Sequence, residues 1–267
     1  MRLVAVLSAI ILACPLLLSP VLAESEQEAI RNAILRYRSA IEINPNNPTT
    51  RLKLGGVYLM NNELDLAAAE YKQAIRISPQ SAEAYFGLSR ALARKKDYDG
   101  AGQALKQAVK FDPDNADYHH KLGQVLARKQ KNDEAIAQYR EAVKLNPQLA
   151  AAHRDLGSAL GLSNDLDAEI FEEGKAIELS PSDPDCYYYL GSAYLQRGKM
   201  DEARTNLEKC VELDHRNADA YRLLGALKAA SGDLKAAIET EEQALKLDPG
   251  NPSIKATLAK MRSRKGN

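Results

Sequence analysis

Four histidines, two acids in an unexpected place and two cysteines that could pair are the residues able to carry chemistry. The histidines are His119, His120, His153 and His215. A zinc site would need several of them to converge with Cys, Asp or Glu at ligand spacing, and no such set is completed. His119 and His153 instead occupy equivalent positions, thirty-four residues apart, where other segments hold Tyr85, Tyr187 and Tyr221. They read as packing side chains, partly exposed at helix starts. Nucleophile motifs built on Ser, Cys or Thr are absent, and so is a Gly-rich phosphate loop. The sequence therefore predicts no enzyme, no metal and no cofactor.

The elements that position these residues follow one period. Pro45, Pro79, Pro113, Pro147, Pro181 and Pro249 stand on a ladder with a step of thirty-four, and His215 fills the missing rung. A period held this long marks one supersecondary unit copied in tandem. Other columns keep the step: Leu54, Leu88, Leu122, Leu156, Leu190 and Leu224; Ala67, Ala101, Ala135, Ala203 and Ala237; Ala74, Ala108, Ala142, Ala176, Cys210 and Ala244. A large residue recurs between the alanine columns at Tyr71, Leu105, Tyr139 and Leu207. Within each unit apolar positions recur every three or four residues, the mark of amphipathic helix. Asn47, Ser81, Asn115, Asp183, Asn217 and Asn251 are N-cap types. Asn62, Asn164, Gly198 and Gly232 fall where a left-handed residue ends a first helix.

In residue types, order and period the chain resembles the tetratricopeptide repeat family. The resemblance implies an all-α fold, a right-handed α-solenoid of helix-turn-helix units. It divides the chain into a signal peptide at 1–23, a half-repeat helix at 24–47, six repeats at 48–251, and a capping helix with its tail at 252–267. Stacks of this kind are scaffolds that present a groove. The concave face comes mainly from the first helix of each repeat, whose outward column reads Leu52, Phe86, His120, Arg154, Tyr188 and Arg222. With Arg90 one turn on, and Arg94 and Arg128 beyond, this groove suits an extended or helical peptide bearing acidic and apolar side chains. The expected partner-binding residues are Phe86, Arg90, His120, Arg154, Tyr188 and Arg222. The other reading is an ordinary solvated face.

Two features of the fold are left open by the residues. Cys186 and Cys210 fall at the start of one helix and the end of its antiparallel mate, which fits either a disulfide in an oxidising compartment or two small buried thiols. Glu169 and Glu173 fall where other repeats place Ala and Tyr or Leu. Unpaired carboxylates in a helix seam would be costly. The sequence favours a rotated second helix that turns Ile170, Phe171 and Ile177 inward, over a joint or a charged partner site.

Arg2, the apolar run Leu3–Leu18 and the Val21-Leu22-Ala23 pattern read as a secretory signal cleaved after Ala23. The alternative is an uncleaved membrane anchor, and a lipobox-like reading at Cys14 departs from the pattern at Leu12. The expected location is periplasmic or secreted, with no membrane contact after cleavage. Lys plus Arg and Asp plus Glu are each 36, so no global charge draws the chain to nucleic acid. The function these features imply is a protein–protein interaction scaffold, an envelope-assembly adaptor if the source is bacterial. The alternative is an accessory subunit or carrier for a separate enzyme chain.

Overall fold

The computed structural model describes residues 15–265. Among them the regular elements are fourteen α-helices and no strand. A long α1 (Pro15–Ile43) leads into six helix pairs: α2 (Pro48–Met60) with α3 (Leu64–Ile77), α4 (Ala82–Arg94) with α5 (Tyr98–Phe111), α6 (Ala116–Arg128) with α7 (Asn132–Leu145), α8 (Ala150–Leu162) with α9 (Leu166–Leu179), α10 (Pro184–Gln196) with α11 (Met200–Leu213), and α12 (Ala218–Ala230) with α13 (Leu234–Leu247). A single α14 (Pro252–Lys265) follows. The chain divides into two compact units, one ending at Asp114 and the other beginning at Asn115. The division falls at the junction of the second and third repeats.

Local chemistry sets the helix ends. The side chains of Asn47, Ser81, Asn115, Asp183 and Asn217 accept hydrogen bonds from amides in the first turns of α2, α4, α6, α10 and α12. Asn251 does the same for α14. Such caps satisfy amides with no partner inside the helix and contribute about 1 kcal/mol each. The fourth repeat is the exception: Leu149 precedes α8 and offers no side-chain cap. Between the helices of each pair one residue takes a left-handed backbone: Asn62, Lys96, Gln130, Asn164, Gly198 and Gly232.

Packing follows the columns. The leucine column from Leu54 to Leu224 is buried in every repeat, and the alanines of the second helices are buried with it. In the first unit Ile34, Tyr37 and Ile41 of α1 pack against a core that includes Leu54, Tyr58, Tyr71 and Leu88. In the second unit Ala203, Leu207 and Cys210 of α11 pack with Ala220, Leu224 and Leu227 of α12. Helix α14 closes that unit by burying Ile254, Leu258 and Met261, while Lys255, Lys260, Arg262 and Arg264 stay exposed.

Helix α1 runs without interruption through the position after Ala23. No helix among the described residues is long and apolar enough to cross a membrane. Residues 1–14, which hold Arg2, Cys14 and most of the apolar run, lie outside the described residues, as do the final two.

One sequence expectation is corrected here. The second helix of the fourth repeat is not rotated. Phe171 is 61 % exposed, whereas Glu169 and Glu173 remain in the seam at 4 % and 0 % exposure. Ala176, on the same face of α9, is fully buried as its counterparts are, so α9 keeps the common register. Room for the two carboxyls comes from α8, where Gly161 lies beneath Glu169 and Gly157 beneath Glu173.

Candidate functional site

In the first unit, Phe86 and Arg90 lie one turn apart on α4, and the Arg90 guanidinium stands 5.9 Å from the centre of the Phe86 ring. Arg90 is exposed. Beneath them the Tyr71 ring passes so close to α4 that a Cβ on Gly87 would meet it at 2.2 Å. Burial raises the Tyr71 phenol above its ordinary range, and the Arg90 charge opposes that rise. Arg94, one turn further, is committed elsewhere: it donates to the Leu59 carbonyl at the end of α2 and to Asn62. It ties two repeats together and does not extend the strip.

In the second unit the expected residues divide by role. His120 is 3 % exposed, which corrects its placement on an open groove face. The physical reason is Asp155: His120 Nε2 lies 2.8 Å from Asp155 Oδ2, and Gln124 donates to the same oxygen at 2.6 Å. A polar ring with a paired nitrogen can be buried at little cost. Arg154 lies over the other side of that carboxylate, with Nη2 3.2 Å from Asp155 Oδ1, and reaches Asp183 at 2.7 Å. Burial acts to raise the Asp155 pKa, but hydrogen bonds from His120 and Gln124 and the Arg154 charge hold it below the usual carboxylate range. Burial acts to lower the Arg154 pKa, but Asp183 and Asp155 hold it above the ordinary value.

Tyr188 is half-buried, its ring edge-on to Tyr189 at 5.4 Å. Burial, then the Asp219 charge, raise its phenol pKa, while Arg222 opposes them. Among the described residues the ion-pair partner of Arg222 is Asp219, one turn earlier on the same helix, at 3.4 Å. A pocket of about 450 Å³ opens among these helices, lined in part by Gln124, Arg128, Tyr139, Arg154, Asp155 and Tyr189.

The other chemistry-bearing residues are in the core. His119 and His153 are buried, not partly exposed. Each has its Nδ1 paired to the second helix of its repeat, His119 with Gln138 at 2.9 Å and His153 with Glu172 at 2.6 Å. Of the two readings left open for Cys186 and Cys210, the structure has the two free, buried thiols and not the bridge. They turn to opposite neighbours: Cys186 faces Glu173 of the preceding repeat, and Cys210 accepts from Asn217 before the following one at 3.6 Å. Burial pushes the Cys210 thiol up to about 12 and raises Cys186 as well. Among the described residues no group of three or more His, Cys, Asp and Glu is placed to hold a metal ion.

Two residues of this region escaped the sequence reading. Asp155 organises His120, Gln124 and Arg154, and its only signal was its place beside Arg154. Glu241 repeats Glu173: it sits in the same column as Tyr71, Leu105, Tyr139 and Leu207 and is fully buried. Among the described residues Glu241 has no hydrogen-bond partner, and Glu173 has only the Cys186 thiol beside it.

A family model described as the cytochrome c-type biogenesis protein H TPR domain matches residues 16–153, more than half of the 267-residue chain. The chain belongs to this tetratricopeptide-repeat family. A second model, of the tetratricopeptide repeat, matches residues 185–249. No curated protein matches the chain. Several solved structures do. YrrB, a TPR protein with an unusual peptide-binding site, is 24 % identical over 69 % of this chain and 95 % of its own, with a TM-score of 0.62. PilF of Pseudomonas aeruginosa is 20 % identical over 80 % of this chain and 97 % of its own, with a TM-score of 0.71. PilW, a widely conserved type IV pilus biogenesis factor, is 19 % identical over 79 % and 98 %, with a TM-score of 0.67. At these identities the likeness is one of fold. The architecture is thus an all-α TPR solenoid, a class of protein-interaction scaffold.

Proposed function

We propose that this TPR chain is a non-catalytic, exported adaptor that holds an acidic and apolar partner segment against the first helices of its repeats. The observation that carries the reading is the pocket beside Arg154 and Tyr189. It combines the Tyr139 and Tyr189 rings with the Arg128 and Arg154 guanidiniums, side chains of the types that most often dominate binding energy, beside the Asp155 and Asp185 carboxylates. Tyr188 and Arg222 continue this chemistry in the second unit, and Phe86 with Arg90 supplies it in the first. Export rests on the apolar run and on the small-residue pattern ending at Ala23. The matching model describes a cytochrome c-type biogenesis protein, and PilW is a pilus biogenesis factor. Both favour an assembly role in the cell envelope over a subunit of a soluble enzyme.

A photo-crosslinking amino acid placed at Tyr188, in protein expressed from its own leader, tests the face. Adducts with one defined protein are expected from position 188 and not from Lys106 or Arg140 on the second helices. Adducts from 106 and 140 alone would place binding on the opposite surface. N-terminal sequencing of the exported chain should begin at Glu24; retention of the Leu3–Leu18 segment in a membrane fraction would refute cleavage.

A further inference from the structure

Two carboxyls in the second unit are buried with no ion-pair partner among the described residues, and both stand opposite an arginine of the first helices. Glu173 and Glu241 are 0 % exposed; among the described residues neither Glu241 oxygen has a hydrogen-bond partner, and Glu173 meets only the Cys186 thiol, with no ion pair. Each lies across a glycine: a Cβ on Gly157 would meet Glu173 Oε1 at 2.8 Å, and one on Gly225 would meet Glu241 Oε2 at 2.8 Å. The residue facing them from the outward column is arginine in both repeats, Arg154 and Arg222. The other four repeats pair the same two positions as Leu52 with Tyr71, Phe86 with Leu105, His120 with Tyr139, and Tyr188 with Leu207. Arginine at the outward position and glutamate at the core position occur together or not at all. The facing positions are in touch where rings reveal it, since His120 and Tyr139 have centroids 5.9 Å apart.

We propose that Arg154 and Arg222 are reversible counter-ions of the buried carboxyls Glu173 and Glu241, so that protonation in the core sets the positive charge offered on the first helices. In the structure the arginines are turned outward, Arg154 to Asp155 and Asp183, Arg222 to Asp219. A neutral carboxyl tolerates that arrangement. An ionised one, buried without a counter-ion, does not. Its least costly relief is the facing guanidinium, which carries its charge on a long flexible stem. Arg222 is the easier to recruit, because an exposed ion pair within one helix holds it weakly.

The surroundings agree. Burial pushes Glu241 up to about 7, and the charged group that opposes this is Arg222. Burial pushes Glu173 up to about 9. Cys186 and Arg154 oppose the rise, while Glu169 on the same helix and Asp183 before α10 reinforce it. Turning an arginine inward withdraws its charge from the surface. The consequence for partner binding rests on the groove reading above; the ion pair itself does not.

The experiment begins with the ligand-free full chain. Arg222→Leu is compared with wild type by thermal unfolding at pH 5.5 and at pH 9, in the native background and in Glu241→Leu, which installs the leucine found in other repeats. The expected result is a melting temperature lowered by about 2–4 °C more at pH 9 than at pH 5.5, with that pH-dependent excess abolished by Glu241→Leu. An equal change at both pH values, or an excess that persists in Glu241→Leu, overturns the proposal. A second arm uses a fluorescein-labelled octaglutamate peptide. Binding is expected to weaken several-fold from pH 6 to pH 9, and less in Glu173→Leu/Glu241→Leu. Unchanged pH dependence in that double variant would also overturn the coupling. Absence of octaglutamate binding at either pH defeats the acidic-partner reading, while the unfolding arm still decides the ion pair.

Discussion

Gly161 and Glu169 fill one space between them: a Cβ on Gly161 would stand 2.5 Å from the Glu169 carboxyl carbon. The equivalent pairs in three other repeats are Ala93 with Ala101, Ala127 with Ala135, and Ala229 with Ala237. The fourth repeat has enlarged one partner and shrunk the other. Gly161→Ala alone displaces the Glu169 carboxyl, so it is expected to gain less than the roughly 1 kcal/mol that Gly→Ala contributes in an unobstructed helix, or to lose stability. Glu169→Ala alone leaves a void. The double variant Gly161→Ala/Glu169→Ala restores the common pairing and should be more stable than either single variant. A double-mutant cycle by urea denaturation measures the coupling, and simple additivity would contradict the shared space.

The buried acids give the second unit a direction of pH dependence. Burial raises Glu169 and Glu241 to about 7 and Glu173 to about 9 from the ordinary 4.5. A raised folded-state pKa means the unfolded chain releases its protons first. Their stabilising contribution is complete below about pH 4.5 and is lost as pH rises through 7 and towards 9. Glu173→Leu is expected to raise stability at pH 8 by roughly 1–2 kcal/mol, because a buried carboxyl with no counter-ion and only a weak thiol contact is replaced by the residue found at Leu105 and Leu207. The gain should shrink at pH 4.5. Urea midpoints at the two pH values are the check, and a larger gain at the acid end would reverse the argument.

What the sequence showed and what it hid divide along physical lines. The repeat period, the caps from Asn47 to Asn251 and the turns at Asn62 and Gly198 were legible because each depends on one residue type at one backbone position. The buried state of Glu169 and Glu173 was not. It depends on pairs of columns, glycines on one helix and carboxyls on the next, and on a protonation state that composition does not display. Ionised carboxylates in a seam predict a rotated helix; protonated carboxyls require none. His120 was misplaced for a similar reason. Its column is outward in type, but Asp155 supplies a partner that lets the ring be buried.

The turn residues offer a stabilising prediction. Lys96 and Gln130 adopt φ of 64° and 59° where other repeats place Asn or Gly. A side chain with a Cβ in this region costs about 1–2 kcal/mol relative to the right-handed form, and glycine carries no such strain. Lys96→Gly and Gln130→Gly should each raise stability, by up to about 1 kcal/mol after glycine's greater unfolded-state freedom is counted. A lowered melting temperature in both variants would show that these side chains contribute more than their backbone costs.

The cysteines should be chemically silent in the native state. Both are buried, free and held well above the ordinary thiol range by burial, and the thiolate is the reactive form. In a chain beginning at Glu24, a thiol reagent should label neither Cys186 nor Cys210 at neutral pH until denaturant is added, and then both. A chain that stays unlabelled in denaturant until it is reduced would establish the bridge that the structure lacks.

Arg154 and Arg222 share a column but should not behave alike when removed. Arg154 is wedged between Asp155 and Asp183, and Asp155 also pairs with His120 and Gln124. Arg154→Ala strips two part-buried carboxylates of their counter-charge, and breaking such a network costs about 3–5 kcal/mol in fully buried cases, less here because 27 % of the Arg154 side chain is exposed. Arg222 holds only an exposed Asp219, a contact that contributes about 0–1 kcal/mol. At pH 5.5, where Glu241 is protonated, stability should therefore fall clearly in Arg154→Ala and hardly in Arg222→Ala. Loss of partner binding in Arg154→Ala is then ambiguous, whereas loss in Arg222→Ala or Tyr188→Ala reports on the surface itself. Thermal unfolding of the three variants, measured before any binding assay, decides which can be used as probes. Equal destabilisation by Arg154→Ala and Arg222→Ala would mean that the Asp155 network does not hold the second unit together.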